Sequence, residues 1–301
     1  MSPWVWAAFT LFIVLMLALD LVVFQRRSHE IKIKEAIGWS IFWIVLSLVF
    51  NAVIYMWQGY HPAVMFFTSY IVEKSLSVDN LFVFLMIFTY FDVPKKYQHK
   101  VLFWGVLGAI VMRAIFIFGG IALIERFHFT IYLLGAFLVF TGIKMAVERE
   151  TKVDPEKNIV LKMFRKFFPI TRKYREGNFW VRERGKIMYT PLFVVLLVVE
   201  SSDIIFAVDS VPAVLAITTD PFIVFTSNIF AILGLRALFF ALSHFADKFC
   251  YLKIGISVVL SYVGVKMLIS DIYKIPVGIS LSIITGVFLI SILASLLKKQ
   301  K

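Results

Sequence analysis

Two apolar stretches carry carboxylates where a lipid environment penalises them. The first, Ile71-Val-Glu-Lys-Ser-Leu-Ser-Val-Asp-Asn-Leu-Phe-Val-Phe84, holds Glu73, Asp79 and Asn80. The second, Val198-Val-Glu-Ser-Ser-Asp-Ile-Ile-Phe-Ala-Val-Asp-Ser-Val-Pro212, holds Glu200, Asp203 and Asp209. A charged side chain at the centre of a spanning helix costs about 2.5–3.5 kcal/mol on insertion scales. Five such acids in two segments point to a site, and their sign points to a cation. Carboxylates in a low-dielectric setting either take up protons or bind a cation, and groups that do both in turn exchange one for the other. Carboxylate, amide, hydroxyl and carbonyl oxygens suit hard ions such as Mg²⁺, Ca²⁺ or Mn²⁺. Neither motif contains His or Cys, which argues against copper or zinc. Asp20, at the end of the first apolar run, is either a further acid of the site or a helix-end residue. Asn51 and Asn228 are mid-span amides, with helix–helix hydrogen bonding as their default role and site lining as the second.

At 3.6 residues per turn, Glu200 and Asp203 share a face, as do Glu73, Ser77 and Asn80, while Asp79 lies about 120° round from Glu73. A straight helix cannot converge all of these. Either the helices unwind near Ser75–Ser77 and before Pro212, freeing carbonyls as ligands, or Asp79 and Asp209 face other helices and pair with Arg113 and Arg236. Such pairs can be purely structural, so both arginines are expected as supporting ion pairs. Lys74 could neutralise one acid.

The elements that must hold these groups are membrane helices. The chain has 301 residues, 60% hydrophobic and 17% charged, against about a quarter charged in soluble domains. A hydrocarbon core of about 30 Å needs roughly 20 apolar residues of helix. That rule predicts an all-α polytopic bundle of about nine spans, near 4–24, 38–57, 63–91, 101–123, 129–146, 190–217, 221–243, 253–270 and 276–297. The net charge of +12 lies mostly in loops, which speaks for membrane orientation and against nucleic acid. Arg26, Arg27, Lys32, Lys34, Lys95, Lys96, Lys100, Lys248, Lys253, Lys298, Lys299 and Lys301 fall in alternate loops and the tail. This predicts a bacterial inner-membrane protein with its N-terminus outside and its C-terminus in the cytoplasm. The N-terminal run lacks a basic leader and a small-residue cleavage site, so it reads as the first span. The basic segment 147–189 is a loop, with a short interfacial helix expected over 159–168. Cys250 is alone, which excludes an intramolecular disulfide.

The polar residues also repeat. Aligning Asp79 with Asp209 puts Glu73 over Asp203. One span later Arg113, in Gly108-Ala-Ile-Val-Met-Arg-Ala-Ile-Phe116, matches Arg236, in Ala231-Ile-Leu-Gly-Leu-Arg-Ala-Leu-Phe239. One span later again, Thr141-Gly-Ile-Lys-Met145 matches Val263-Gly-Val-Lys-Met267. Three spans per unit is an odd number, so the second unit enters from the opposite side. The expected organisation is one membrane domain, 1–301, with inverted repeats over about 63–146 and 190–270 and the basic loop between them.

The stretches Glu73-Lys-Ser-Leu-Ser-Val-Asp-Asn-Leu-Phe, Glu200-Ser-Ser-Asp-Ile-Ile-Phe-Ala-Val-Asp-Ser-Val-Pro and the run from Thr219 to Arg236 resemble the TerC family, its Alx-type bacterial members above all. The resemblance covers the chain from about Trp4 to the last span. It implies an inner-membrane manganese exporter in which the acids at 73, 79, 200, 203 and 209 serve transport. The family is named for tellurium resistance and has plant relatives linked to thylakoid biogenesis, so membership alone leaves the cargo open.

Moving a divalent cation out of a negative-inside cell works against about 2.3 kcal/mol per charge per 100 mV. Inward protons can drive it, and the sequence has no Walker A motif. The expectation is therefore a proton-coupled exporter of Mn²⁺, with Ca²⁺ as the other ion considered, no bound cofactor and no enzymatic step. The rival is a non-transporting membrane scaffold that recruits partners through 147–189.

Overall fold

The structure, a computed structural model, describes residues 2–25, 33–127, 129–147, 168–171, 174–175, 177–183, 186–243, 251–273 and 275–297. Ten helices and one small hairpin follow in order: α1 (Pro3–Gln25), α2 (Ile33–Gln58), α3 (Tyr60–Tyr90), α4 (Lys95–Arg126), α5 (Thr130–Val147), β1 (Trp180–Glu183), β2 (Lys186–Tyr189), α6 (Pro191–Leu215), α7 (Pro221–Leu233), α8 (Leu235–Ser243), α9 (Leu252–Leu268) and α10 (Val277–Leu297). Local chemistry sets the boundaries. Gly59, at φ +91°, takes a backbone conformation that a side chain would strain, so α2 and α3 are joined by a single residue. Asp220 caps α7, accepting from the amides of Phe222 and Ile223, and Pro221 occupies the first helical position, where its missing N–H costs nothing.

Among the described residues, five helices are long and apolar enough to cross a membrane: α2, α4, α5, α6 and α10. The pair α7–α8 makes a sixth if counted as one span. The protein is thus a helical, multi-pass membrane protein. α3 is long enough, at 31 residues, but Glu73, Lys74, Asp79 and several serines dilute its apolar character. The stretch expected as one span over 221–243 is broken. α7 and α8 meet at Gly234 with a 41° bend, and Trp43 of α2 packs against that glycine where a side chain would otherwise sit. Of the two alternatives, unwinding near Ser75–Ser77 and before Pro212 does not occur: α3 and α6 run through both positions.

The acid-bearing helices are central. α3 packs against α2, α6, α7 and α10, and α4 lies against both α6 and α7. A second tight seam joins α5 to α9. Gly142 lies against Ser257 and Ser261, and Gly264 lies against the backbone of Gly135 and Val139. Small residues let two helix backbones approach closely in a membrane, where packing rather than the hydrophobic effect drives association.

The all-helical expectation misses the hairpin, in which Trp180 pairs with Tyr189 and Glu183 with Lys186. Two four-residue strands inside a basic loop are invisible to a hydropathy window. The segment is tied to the bundle. Lys100 Nζ donates to the carbonyl of Gly177 at 2.7 Å, Thr190 Oγ1 donates to Asn178, and Phe179 is buried in the core. Tyr174 OH donates to Phe91 at 2.7 Å, and burial, with the Asp92 carboxylate adding to it, pushes that phenol up to about 12. The expected helix over 159–168, all but Phe168, lies outside the described residues, as do the basic residues at 26, 27, 32, 248, 298, 299 and 301.

The α5–α9 seam predicts a sharp contrast. Gly264→Ala drives a methyl group into the backbone of α5, and overpacking of this kind costs about 1–3 kcal/mol. Gly119→Ala meets open space and removes a helix-interior glycine, so it is neutral or stabilising by about 0.5–1 kcal/mol. Thermal unfolding in detergent should show a lower midpoint for the first variant only.

Candidate functional site

Arg113 of α4 is the hub. Its side chain is fully buried. Nη1 donates to Glu73 Oε1 of α3, to Ser210 Oγ of α6 at 2.9 Å and to Asn228 Oδ1 of α7 at 3.3 Å. Nη2 stands 3.8 Å from Asp203 Oδ1 of α6. Four helices therefore converge on one guanidinium. In the structure Arg113 goes to Glu73 and Asp203. Asp20, Asp79 and Asp209 sit on α1, α3 and α6, and their side chains lie outside the described ones.

The helical spacing explains the convergence. Glu73, Ser77 and Asn80 share a face of α3, and all three are buried. Asp203 and Ser210 are seven residues apart on α6 and so point the same way. Several polar atoms of this cluster are buried without a hydrogen-bond partner, namely Glu73 Oε2, Asp203 Oδ2, Asn228 Nδ2, and Nε and Nη2 of Arg113 itself, as is Ser77 Oγ one turn along α3 from Glu73. Buried polar groups are normally satisfied, so these mark a centre built for something polar. Three of them are hard oxygen donors of the kind that bind Mg²⁺, Ca²⁺ or Mn²⁺. Among the described residues, no three His, Cys, Asp or Glu come together closely enough to hold a metal.

Glu200 is set apart. It lies about 60° round α6 from Asp203, and that offset turns it away from Arg113 and onto α4. Its carboxylate fills the notch left by Gly108, where any Cβ would overlap it. The notch opens into a cleft of about 360 Å³ lined by Trp104, Leu107, Val111, Met112 and Leu196.

Lys74 does not neutralise its neighbour Glu73. Its Nζ donates to the carbonyl of Ala231 at 3.2 Å, in the last turn before the Gly234 bend. Arg236, the counterpart of Arg113, is buried on α8 with its guanidinium 5.9 Å from the Phe103 ring centroid. A cavity of about 10 Å³ separates Asp203 from Arg236, space for roughly one water. Asn228 makes the helix–helix hydrogen bond expected of it first, accepting from Arg113 of α4, and so also lines the site. Ser210 and the Gly108 notch were not anticipated. The signal for Ser210 was its seven-residue spacing from Asp203, which matches that of Asn80 from Glu73.

Residues 58–301 match the model of the integral membrane protein TerC family. The chain belongs to the TerC family. It is 51% identical over 299 residues to "Uncharacterized membrane protein STKORF319" of Myxococcus xanthus, covering 99% of this chain and 94% of that protein. It is 47% identical over 300 residues to the "Putative membrane-bound redox modulator Alx" of Salmonella typhi, covering 97% and 93%. The protein of the same name from Escherichia coli K12 is 46% identical over 299 residues, covering 96% and 93%. No solved structure matches the chain. The family assignment agrees with the resemblance drawn from the motifs.

The ion cluster predicts strong non-additivity. Arg113→Gln leaves two buried carboxylates uncompensated, and Glu73→Gln loosens a buried cation. Breaking a buried pair from one side costs about 3–5 kcal/mol. The Glu73→Gln/Arg113→Gln double variant should lose clearly less than the sum of the two single losses. A double-mutant cycle on unfolding midpoints measures this, and simple additivity would refute the pairing.

Proposed function

We propose that the protein is a secondary carrier that exports a hard divalent cation, Mn²⁺, in exchange for protons. The observation that carries this reading is the buried centre at Arg113. Glu73 and Asp203 face each other across it, with unpartnered oxygens beside them. They come from α3 and α6, the equivalent helices of the two sequence repeats. Site acids at the junction of repeats suit a carrier whose halves rock around a fixed binding point. Asp79, Asp209 and Asn80 belong to the same motifs and complete the proposed ligand set. Glu200, turned away in this conformation, is an accessory acid of the same helix.

Nine spans in two inverted repeats remain the reading of the architecture, and the α5–α9 seam supports it. The contacts of Gly142 with Ser257 and Ser261 turn into those of Gly264 with Gly135 and Val139 when each residue is shifted by 122 positions toward the other repeat. A two-fold relation between the repeats produces this reciprocity. The distribution of Lys and Arg among the loops supports an N-terminus outside and a C-terminus in the cytoplasm of a bacterial inner membrane. The name carried by the Alx relatives is compatible with transport. Manganese is redox-active, so a carrier that sets its level changes cellular redox balance without itself transferring electrons. One cysteine in the chain leaves no intrachain dithiol for such a role.

The test is flux in sealed proteoliposomes with a pH-sensitive dye inside. Mn²⁺ movement driven by an imposed proton gradient, with opposed proton flow, is expected. Glu73→Gln and Asp203→Asn should each slow it by about tenfold or more, equivalent to about 1.4 kcal/mol on the transport barrier. Asp79→Asn and Asp209→Asn should also impair it at wild-type expression. Gradient-indifferent movement would indicate a channel. No movement by folded protein would favour a scaffold, which should then fail when 148–167 is replaced by a neutral linker.

A further inference from the structure

We propose that Arg113 is the resident counter-cation of the site, and that the transported ion reaches Glu73 and Asp203 by displacing its guanidinium. This rests on the carrier reading above and adds how the empty site is kept closed. Three observations lead to it.

First, the arginine is held in a detachable way. All three of its hydrogen bonds leave from Nη1, while Nε and Nη2 make none. An arginine that serves as a strut between carboxylates normally uses its planar fork in bidentate contacts. Here one carboxylate takes one nitrogen, and the other is 3.8 Å away, beyond hydrogen-bond length.

Second, the oxygens an incoming cation needs are already present and unused: Glu73 Oε2, Asp203 Oδ2 and Ser77 Oγ. The first two belong to carboxylates whose other oxygen faces the guanidinium, and Ser77 lies one turn from Glu73 on the same face of α3. Two of the three oxygens that now accept from Nη1 are neutral, those of Ser210 and Asn228. They can keep the guanidinium hydrogen-bonded while it releases the acids.

Third, the charges select the cargo. Two ionised carboxylates and one guanidinium leave a net charge of −1 among the described side chains. A divalent cation bound between the two acids takes up both negative charges, which a monovalent cation cannot, and the guanidinium then rests on the neutral oxygens of Ser210 and Asn228. The resident guanidinium keeps the acids from collapsing onto monovalent ions or trapping cargo permanently.

A purely structural arginine predicts the opposite sign for one experiment. Mn²⁺ binding and thermal unfolding are measured on the full-length protein in detergent, as wild type, Arg113→Gln and Arg113→Lys. With the competing cation removed, Arg113→Gln should bind Mn²⁺ at least about tenfold more tightly than wild type. It should unfold earlier without metal and recover at saturating Mn²⁺. In flux assays its KM and its maximal rate should fall together, because bound cargo is no longer displaced. Arg113→Lys keeps the charge and should stay within about threefold of wild type in affinity. If Arg113→Gln folds only when purified with Mn²⁺ and unfolds on chelation, the proposal stands. Equal or weaker binding, or failure to fold even with Mn²⁺ while Arg113→Lys is normal, overturns it. If wild type itself binds no Mn²⁺, the carrier reading fails instead, so the two failures are distinguishable.

Discussion

The structure depends on a balance of charge in a place without water. Arg113, Glu73 and Asp203 are all buried in a bundle of apolar helices, and none could be there alone. Ionised groups in such a medium persist only when paired and hydrogen-bonded. Their pairing in turn dictates which helices must touch. α4 supplies the cation, α3 and α6 the anions, and α7 the amide of Asn228. Packing of α3 between α6 and α7, and of α4 against the same two, follows from satisfying this one cluster.

Around it, the chain spends its glycines on close approach. Gly108 lets a carboxylate lie directly on the backbone of α4, which is how Glu200 is accommodated away from the centre. Gly142 and Gly264 bring α5 and α9 into backbone contact. Gly234 allows α7 and α8 to bend, and there Lys74 and Trp43 both press against the chain. A buried lysine on a carbonyl beside a bend ties α3 to the broken span. The bond lands on α7, whose Asn228 also reaches Arg113.

Much of this was legible from residue type and spacing. Long apolar runs point to membrane helices, so the helical, multi-pass character follows from hydropathy alone. Acids and arginines within those runs carry a free-energy penalty large enough to mark them as special without any coordinates. Ordered recurrence of acid, arginine and Gly-x-Lys-Met was likewise visible in one dimension, and the family match agrees with the motifs from which it was inferred. The hairpin at 180–189 was not legible. Eight residues of strand in a polar loop carry no periodic apolar signal, and the strands form because Phe179 and Tyr174 anchor the loop to the bundle.

The sequence by itself determined the solvent, the helices and the candidate charged groups, because each of these depends on side-chain chemistry at known spacing along one helix. Only the tertiary structure decided the partners. Helical periodicity fixes the direction of a side chain about its own axis but not the rotation of that helix against its neighbours. Glu200 and Asp203, 60° apart, could have shared a site. The rotation of α6 sends one to Gly108 and the other to Arg113. The continuity of α3 and α6, and the bend at Gly234 instead, were likewise set by packing. The bend falls where Trp43 and Lys74 meet a residue with no side chain, not where the acids lie.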